Sequence, residues 1–171
     1  MLTQERLKEL FAYDPLIGSF VRKVRRGSGR AGDLAGTDNG CGYLQIRVDR
    51  HVYVAHRLAW LYITGEWPKD QIDHVNGVRD DNRIDNLRAA TNSENQCNTP
   101  SYKNSSTGAK GVCMHKRVGL YQAHIQVNKK KMHLGYFADI ESASAAYVMA
   151  ASLVHGEFAN LPKKPASGID A

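Results

Sequence analysis

One stretch constrains this chain more than any other: residues 71–98, reading QIDHVNGVRDDNRIDNLRAATNSENQCN. It holds an Asp-His pair, an Asn-Gly dipeptide, a loop crowded with Asp and Asn, and a short segment containing Glu94-Asn95. Ile72 to Val75 alternates apolar with polar and runs into Asn76-Gly77, a strong tight-turn signal, so it reads as a strand entering a turn. Leu87 to Ala90 reads as a second short strand. Thr91 followed by Glu94 has the spacing of a capping box, which starts a helix at Thr91 and puts Asn95 in its first turn. The expected order is strand, loop, strand, helix, with Asp73 and His74 on the first element and Asn95 on the last.

These residue types suit one kind of chemistry. Magnesium-like ions take oxygen ligands and keep several waters, so a carboxylate and an amide oxygen suffice when DNA phosphates supply the rest. Asp73 and Asn95 are the candidate pair. His74 is the sole histidine of the stretch. With an ordinary pKa of about 6.5 it is largely neutral at neutral pH and able to take a proton from water. The bland alternative is an Asx-rich surface loop with a capped helix, since Asn and Asp favour turns for purely local reasons.

Asp73-His74, then Asn86, then Asn95 resembles the HNH endonucleases, in the variant whose last His is replaced by Asn, and particularly the phage-borne homing type. Surrounding segments agree, from His56-Arg57-Leu58-Ala59-Trp60 through Asp81-Asn82-Arg83 to Asn86-Leu87-Arg88. The resemblance implies a ββα-metal fold in which Asp73 and Asn95 hold a divalent ion, magnesium or else manganese. It also implies that His74 is the general base and that Asn86 braces the loop behind it.

Charge is consistent with a polyanionic partner. The 171 residues carry a formal charge of +6 and 42% hydrophobic residues, with a pI near 9.3, which alone does not separate nucleic acid from a membrane surface. The distribution says more. No Asp or Glu occurs between Asn95 and Ala138, where Lys103, Lys110, Lys116, Arg117, Lys129, Lys130 and Lys131 all fall. Cys41, Cys97 and Cys113 are far apart, and no Cys-x-x-Cys signals structural zinc, so each reads as a small buried hydrophobe in a reducing setting. There is no signal peptide and no long apolar run, which reads as a soluble, intracellular protein, and the resemblance to phage-borne nucleases implies the cytoplasm of a bacterial host.

Upstream, Thr3 to Phe11 reads as a short helix with Thr3 as N-cap, Tyr13-Asp14-Pro15 as a turn, and Gly18 to Val24 as a strand. Arg22, Lys23, Arg25, Arg26 and Arg30 then fall among Gly27, Gly29 and Gly32. That segment reads either as a flexible basic arm for phosphate contacts or as a solvated loop. Tyr43 to Val48 turns at Asp49-Arg50-His51 and returns through Val52 to Val54 as a hairpin. Ala55 to Thr64 reads as an amphipathic helix closed by Gly65, and His56 on it reads as a structural histidine or one approaching the centre.

Residues 99–107 are polar, contain Pro100 and lack periodicity, which marks a linker. Three short strands follow, Lys110 to His115, Tyr121 to Val127 and Lys131 to Phe137, with turns at Val118-Gly119 and Asn128 to Lys130. A helix capped by Asp139 then runs from Ile140 to about His155, where Gly156 stops it. Its expected inward stripe is Ala143, Ala146, Tyr147, Ala150 and Val154. Strand two alternates, with Tyr121, Ala123, Ile125 and Val127 on one side and Gln122, His124 and Gln126 on the other.

Lys110-Gly111-Val112, Tyr121-Gln122-Ala123, His133 to Phe137, Ala145-Ala146-Tyr147 and His155-Gly156 resemble the ethylene-response-factor (Apetala-type) DNA-binding domain, which also occurs fused to phage HNH nucleases. That resemblance covers about residues 107–162 and implies a sheet whose outward face enters the major groove of duplex DNA. The matching positions are Lys110, Cys113, His115, Arg117, Gln122, His124, Gln126, Lys131 and His133. The plant domains rely on Arg and Trp there, so no target sequence follows.

The expected class is α+β: an HNH core with N-terminal hairpins in residues 1–98, a linker, a three-stranded antiparallel sheet on one helix in 108–163, and a tail at 164–171. Expected partners are double-stranded DNA and no membrane, with a monomer or weak dimer. Two functions stay open, a metal-dependent endonuclease and a DNA-binding regulator with a retired nuclease fold.

Overall fold

At the amino terminus Thr3 caps α1 (Gln4–Leu10) by accepting from the Arg6 amide at 3.3 Å, and Leu7 and Leu10 are buried beneath it. The helix stops one residue short of the expectation. Phe11–Asp14 is instead a strand, β1, because Phe11 and Tyr13 are buried while Ala12 and Asp14 are exposed, a period of two that only a strand satisfies. It pairs antiparallel with β2 (Ser19–Arg22), placing Tyr13 opposite Phe20. The Asp14 carboxylate holds the intervening turn by accepting from the amides of Leu16 at 2.9 Å and Ile17 at 3.2 Å.

The computed structural model describes residues 1–99, 105–127 and 129–159. The expected turn residue Asn128, Lys103, residues 100–104 of the linker and the tail lie outside the described residues. Among those described, the chain is mixed α/β, with four α-helices and four small antiparallel sheets, and it divides into two compact units between Asn95 and Gln96.

The glycine-rich basic segment is no separate arm. It folds back through β3 (Leu34–Ala35), which pairs with β2. The Arg22 guanidinium lies 5.7 Å from the Phe11 ring centroid, the Lys23 ammonium donates to the Lys8 carbonyl at 2.9 Å, and Arg26 forms an ion pair with Asp49. A second sheet comprises β4 (Thr37–Asp38), β5 (Leu44–Val48) and β6 (His51–Val54). The β5–β6 turn puts Asp49 at φ 44° and Arg50 at φ 71°, the left-handed pair that two-residue hairpin turns require. α2 (Ala55–Thr64) occupies its expected bounds and ends at Gly65, whose φ of 81° lets its amide reach the Leu61 carbonyl at 3.0 Å. Leu7, Phe20, Ile46, Val48, Leu58 and Leu61 share one core, with the Tyr13 and Phe20 rings tilted at 33° to each other, centroids 4.7 Å apart.

The key stretch forms β7 (Gln71–His74), β8 (Leu87–Ala90) and α3 (Asn92–Asn98). β7 and β8 are antiparallel, with Asp73 opposite Arg88 and His74 opposite Leu87. The loop between them is gripped by the β1–β2 turn. The Tyr13 hydroxyl donates to the Asn82 carbonyl at 2.6 Å and the Ile84 amide to the Pro15 carbonyl at 3.2 Å.

The second unit holds a sheet in the order β11 (Lys130–Phe137), β10 (Leu120–Val127), β9 (Val112–His115), with α4 (Ile140–His155) against it. Asp139 caps α4, accepting from the Ser142 amide at 2.7 Å. Ala143, Tyr147 and Ala151 are buried against Val112, Ala123 and Ile125. The expected stripe is corrected at its far end, where Val154 is exposed and Ala151 takes the inward place, four residues after Tyr147. Gly111 precedes β9, and a Cβ on it would lie 2.3 Å from the Tyr147 ring and 2.5 Å from the His124 carbonyl.

Gly18, at φ 76°, makes a second such approach: a Cβ there would lie 2.4 Å from the Arg83 nitrogen and 2.5 Å from the Asn82 carbonyl carbon. Gly27, at φ 59°, has open space around it. Gly18→Ala is therefore expected to lose at least about 2 kcal/mol in urea unfolding, strain plus displaced loop, whereas Gly27→Ala loses about 1 kcal/mol of strain alone. Equal losses for the two variants would refute the packing of the turn on the loop.

Candidate active site

The helix that carries Asn95 starts where its capping box says. The Thr91 amide donates to the Glu94 carboxylate at 2.7 Å, and the Glu94 amide donates back to the Thr91 hydroxyl at 3.3 Å. From the first turn of α3, the Asn95 side-chain nitrogen donates to Gln71 Oε1 at 2.5 Å. Gln71 and Asp73 are two apart on β7 and so share one side of the strand. Asn95 is thereby brought onto the edge that carries Asp73.

Asp73 is buried, and its Oδ2 accepts from Arg88 at 2.6 Å through Nη2 and at 2.9 Å through Nε. The cross-strand register sets this pair. Beside it His74 is buried within a cage of rings and amides. The His56 ring stands edge-on to it with centroids 5.0 Å apart, Tyr43 lies at 6.0 Å, and Asn82 Oδ1 is 3.3 Å from its Nε2. Burial pulls the His74 pKa below 6.5, opposed by the Asn82 contact and by the charges of Asp73, Asp81 and Asp80. Burial, followed by the charges of His74 and Arg57, pulls His56 down to about 4. Both rings are accordingly neutral at neutral pH.

The loop behind these residues is a lattice of side-chain amides. Asn86 Oδ1 accepts from the Asn76 amide at 3.0 Å, and its Nδ2 donates to the Asp81 carbonyl at 2.7 Å. The Asn76 side chain donates to the Asp81 carboxylate at 2.7 Å while its oxygen accepts from the Val78 amide at 2.8 Å. Arg83 meets Asp81 through two nitrogens at 2.8 and 2.6 Å. Asn86 thus closes the loop through two backbone groups, and Asn82 Oδ1 is the amide oxygen at the His74 ring.

Among the described residues no group of three or more His, Cys, Asp and Glu is arranged to hold a metal ion. One carboxylate and one amide oxygen, from Asp73 and Asn95, nevertheless form an all-oxygen pair of the kind a hard divalent ion uses alongside water and phosphate. Those donors fit magnesium by type, with Arg88 already seated on one Asp73 oxygen.

In the second unit the expected DNA-facing residues largely fall on one face. Cross-strand partners Gln122 and Cys113, Gln126 and Lys131, and His124 and His133 share the side of the sheet away from α4, as does His115 opposite Leu120. Arg117 sits in the β9–β10 turn. Tyr136, absent from the expectation, lies between His115 at 5.3 Å and His133 at 4.7 Å, and Gln122 Nε2 donates to His133 Nδ1 at 3.0 Å. The Nδ1 atoms of His115 and His124 are enclosed with no hydrogen-bond partner. Lys110 departs from the pattern. It lies ahead of β9, and its ammonium donates to the carbonyls of Cys97 at 2.6 Å, Gln96 at 3.4 Å and Thr99, so it ties down the end of α3.

Sequence reasoning passed over Asn82, Arg88, Tyr43 and Tyr136 as contributors. Arg88 was findable, because pairing Asp73-His74 with Leu87-Arg88 in the hairpin places it opposite Asp73. Asn82 had no such signal, since nothing in the spacing of the loop says which amide meets the ring.

Removing Asp73 alone takes the buried carboxylate away from the largely enclosed Arg88 guanidinium. Asp73→Ala is expected to lose about 3–5 kcal/mol in urea unfolding, and Asp73→Ala with Arg88→Met to recover most of that stability. A single variant within about 1 kcal/mol of wild type would show that the ion pair is not needed by the fold.

No curated protein and no solved structure matches the chain significantly. A family model described as HNH endonuclease matches residues 53–97, the span that includes His56, Asp73, His74, Asn82, Asn86 and Asn95, and the match supports an HNH nuclease acting on DNA.

Proposed function

We propose that the first unit is a metal-dependent endonuclease with a ββα-metal core that hydrolyses a phosphodiester bond of duplex DNA. The observation that carries this reading is the convergence on one strand of Asp73, His74 and, through Gln71, Asn95. Asp73 and Asn95 are the residues that hold the ion, magnesium or manganese, which when bound supplies charge stabilisation at the phosphate and at the departing 3′-oxygen. His74, neutral and held by its neighbours, takes a proton from water as that water attacks phosphorus in line. Asn86 keeps the loop closed behind the base. A single centre of this kind nicks one strand, so a double-strand cut needs a second visit or a dimer. A homing-type role in a phage, inside a bacterial cell, fits this reading.

The second unit serves in the same reading as an ethylene-response-factor-type module that lays Gln122, His124, Gln126 and His133 into the major groove, with Arg117 and Lys131 on the backbone. The cross-strand pairing that sets Gln122, His124, Gln126, Lys131 and His133 on one face supports it. Arg22, Lys23, Arg25 and Arg26 belong to the first unit, and Arg22, Lys23 and Arg26 already have partners there, so they add less than a free arm would.

One observation favours the rival reading of a DNA-binding regulator with a retired centre: Arg88 occupies the Asp73 carboxylate that an ion would use. Supercoiled-plasmid nicking decides between the two. Wild type with magnesium is expected to give open circles, EDTA to abolish them, and His74→Ala to lower the rate about 100-fold or more with DNA affinity retained. Equal nicking by His74→Ala would remove the base from the assignment. A gel shift with no nicking, on DNA cut into fragments from the source genome, would favour the regulator.

Charge on the second unit gives an independent expectation. Arg117→Ala with Lys131→Ala is expected to weaken duplex binding across unrelated sequences and to reduce the slope of log affinity against log salt by about 2. An unchanged slope would take these two residues off the DNA backbone.

A further inference from the structure

We propose that Asn82 is the positioning residue for His74: its side-chain oxygen selects the imidazole form with hydrogen on Nε2, which leaves the lone pair on Nδ1 as the proton acceptor. This rests on the nuclease reading for its catalytic meaning, but the contact itself stands on geometry.

Asn82 is only 1% exposed, among the most enclosed side chains of the protein. Its amide orientation is determined by its second contact. Nδ2 donates to the Asp80 carbonyl at 3.1 Å, and that carbonyl cannot face an oxygen, so Oδ1 must be the atom presented to His74 Nε2 at 3.3 Å. An amide oxygen only accepts. The contact therefore needs a hydrogen on Nε2, and a neutral imidazole carries one N–H.

The backbone of Asn82 is held from the far side by elements outside the stretch that carries the nuclease residues. The Tyr13 hydroxyl donates to its carbonyl at 2.6 Å, the Ile84 amide reaches the Pro15 carbonyl at 3.2 Å, and Gly18 leaves no room for a Cβ against Asn82 and Arg83. The ring cannot readily rotate away from Asn82, because His56 stands edge-on to it at 86° and Tyr43 lies on another side. Asn86, by contrast, spends both ends of its amide on loop backbone. The division of labour is that Asn86 shapes the loop and Asn82 reads the ring.

The test pairs a spectroscopic readout with a kinetic one. Long-range ¹H–¹⁵N correlation spectra of ¹⁵N-histidine-labelled protein, with His74 assigned by difference from His74→Gln, are expected to show the Nε2–H form in wild type at neutral pH. Asn82→Leu keeps the volume and removes the acceptor. It is expected to lose that signature and to lower kcat for nicking about 10- to 100-fold at unchanged KM for DNA, the scale seen when a ligand's outer partner is removed. Asn82→Asp keeps an acceptor oxygen towards the ring but sets its second oxygen against the Asp80 carbonyl, so it is expected to restore the Nε2–H signature at a cost in stability. An Nδ1–H ring in wild type overturns the proposal, and so does a folded Asn82→Leu with the same ring form and kcat. Should Asn82→Leu fail to fold by circular dichroism, the wild-type spectrum and Asn82→Asp still decide. If wild type shows the Nε2–H form yet nicks no DNA with any divalent ion, Asn82 stands and the nuclease reading falls.

Discussion

The centre depends on a loop that has almost no regular backbone pairing and is held instead by carboxamides. Between β7 and β8, the amide of Asn76 is satisfied by Asn86, the carbonyl of Asp81 by Asn86, and the carboxylate of Asp81 by Asn76 and Arg83. Asn76, Asn86 and the Asp81 carboxylate each serve two neighbours, so the lattice is cooperative: withdrawing one amide leaves polar groups unpaired in a place water reaches poorly. Asp81 is correspondingly held down at about 2, by Arg83 first and by Asn76 after burial's opposing effect. Beyond one short 3-10 turn at Ile84–Asn86, it is these side chains that fix the loop beside His74.

The N-terminal hairpin acquires its purpose from that loop. Two hydrogen bonds and a glycine contact join the β1–β2 turn to residues 82–84, and the hairpin itself is anchored by Tyr13 and Phe20 in the main core. A region that shows no chemistry in its sequence thus supports the residues that do. Its burial pattern explains why it was misread. Phe11 sits at a helix-compatible spacing from Leu7, and only the burial of Tyr13 two residues on reveals the strand.

Local signals were legible wherever one short-range mechanism decides the backbone. The capping box at Thr91, the left-handed stop at Gly65, the Asp139 cap and the Asn76-Gly77 turn all lie where their residues place them. Period-two alternation likewise sorted Gln122, His124 and Gln126 from Ala123 and Ile125. What the sequence hid was long-range. Strands of two residues such as β3 and β4 exist only because a neighbour pairs with them. The head of Lys110 is settled by carbonyls more than ten residues away, and the bulge at Leu134, between partners Gly135 and His133, shifts a register that simple alternation would carry straight through. The resemblance names Asp73, His74, Asn86 and Asn95, yet the atom that meets His74 belongs to a loop position whose side chain is indistinguishable in type from five other asparagines in the same stretch.

The two buried histidines tie function to stability through one physical cause. A ring enclosed by protein is costly to charge, so the burial that keeps His74 neutral and able to accept a proton also applies, more strongly, to His56 against it. For His56 the folded value of about 4 lies below the ordinary 6.5. The unfolded chain therefore takes up a proton first as pH falls. Its contribution to stability is complete above pH 6.5 and is lost progressively as pH drops through about 4. In the proposed nuclease reading, a base packed this way shares its neutrality with the His56 ring against it, which links the working range of the centre to the range in which the first unit stays folded.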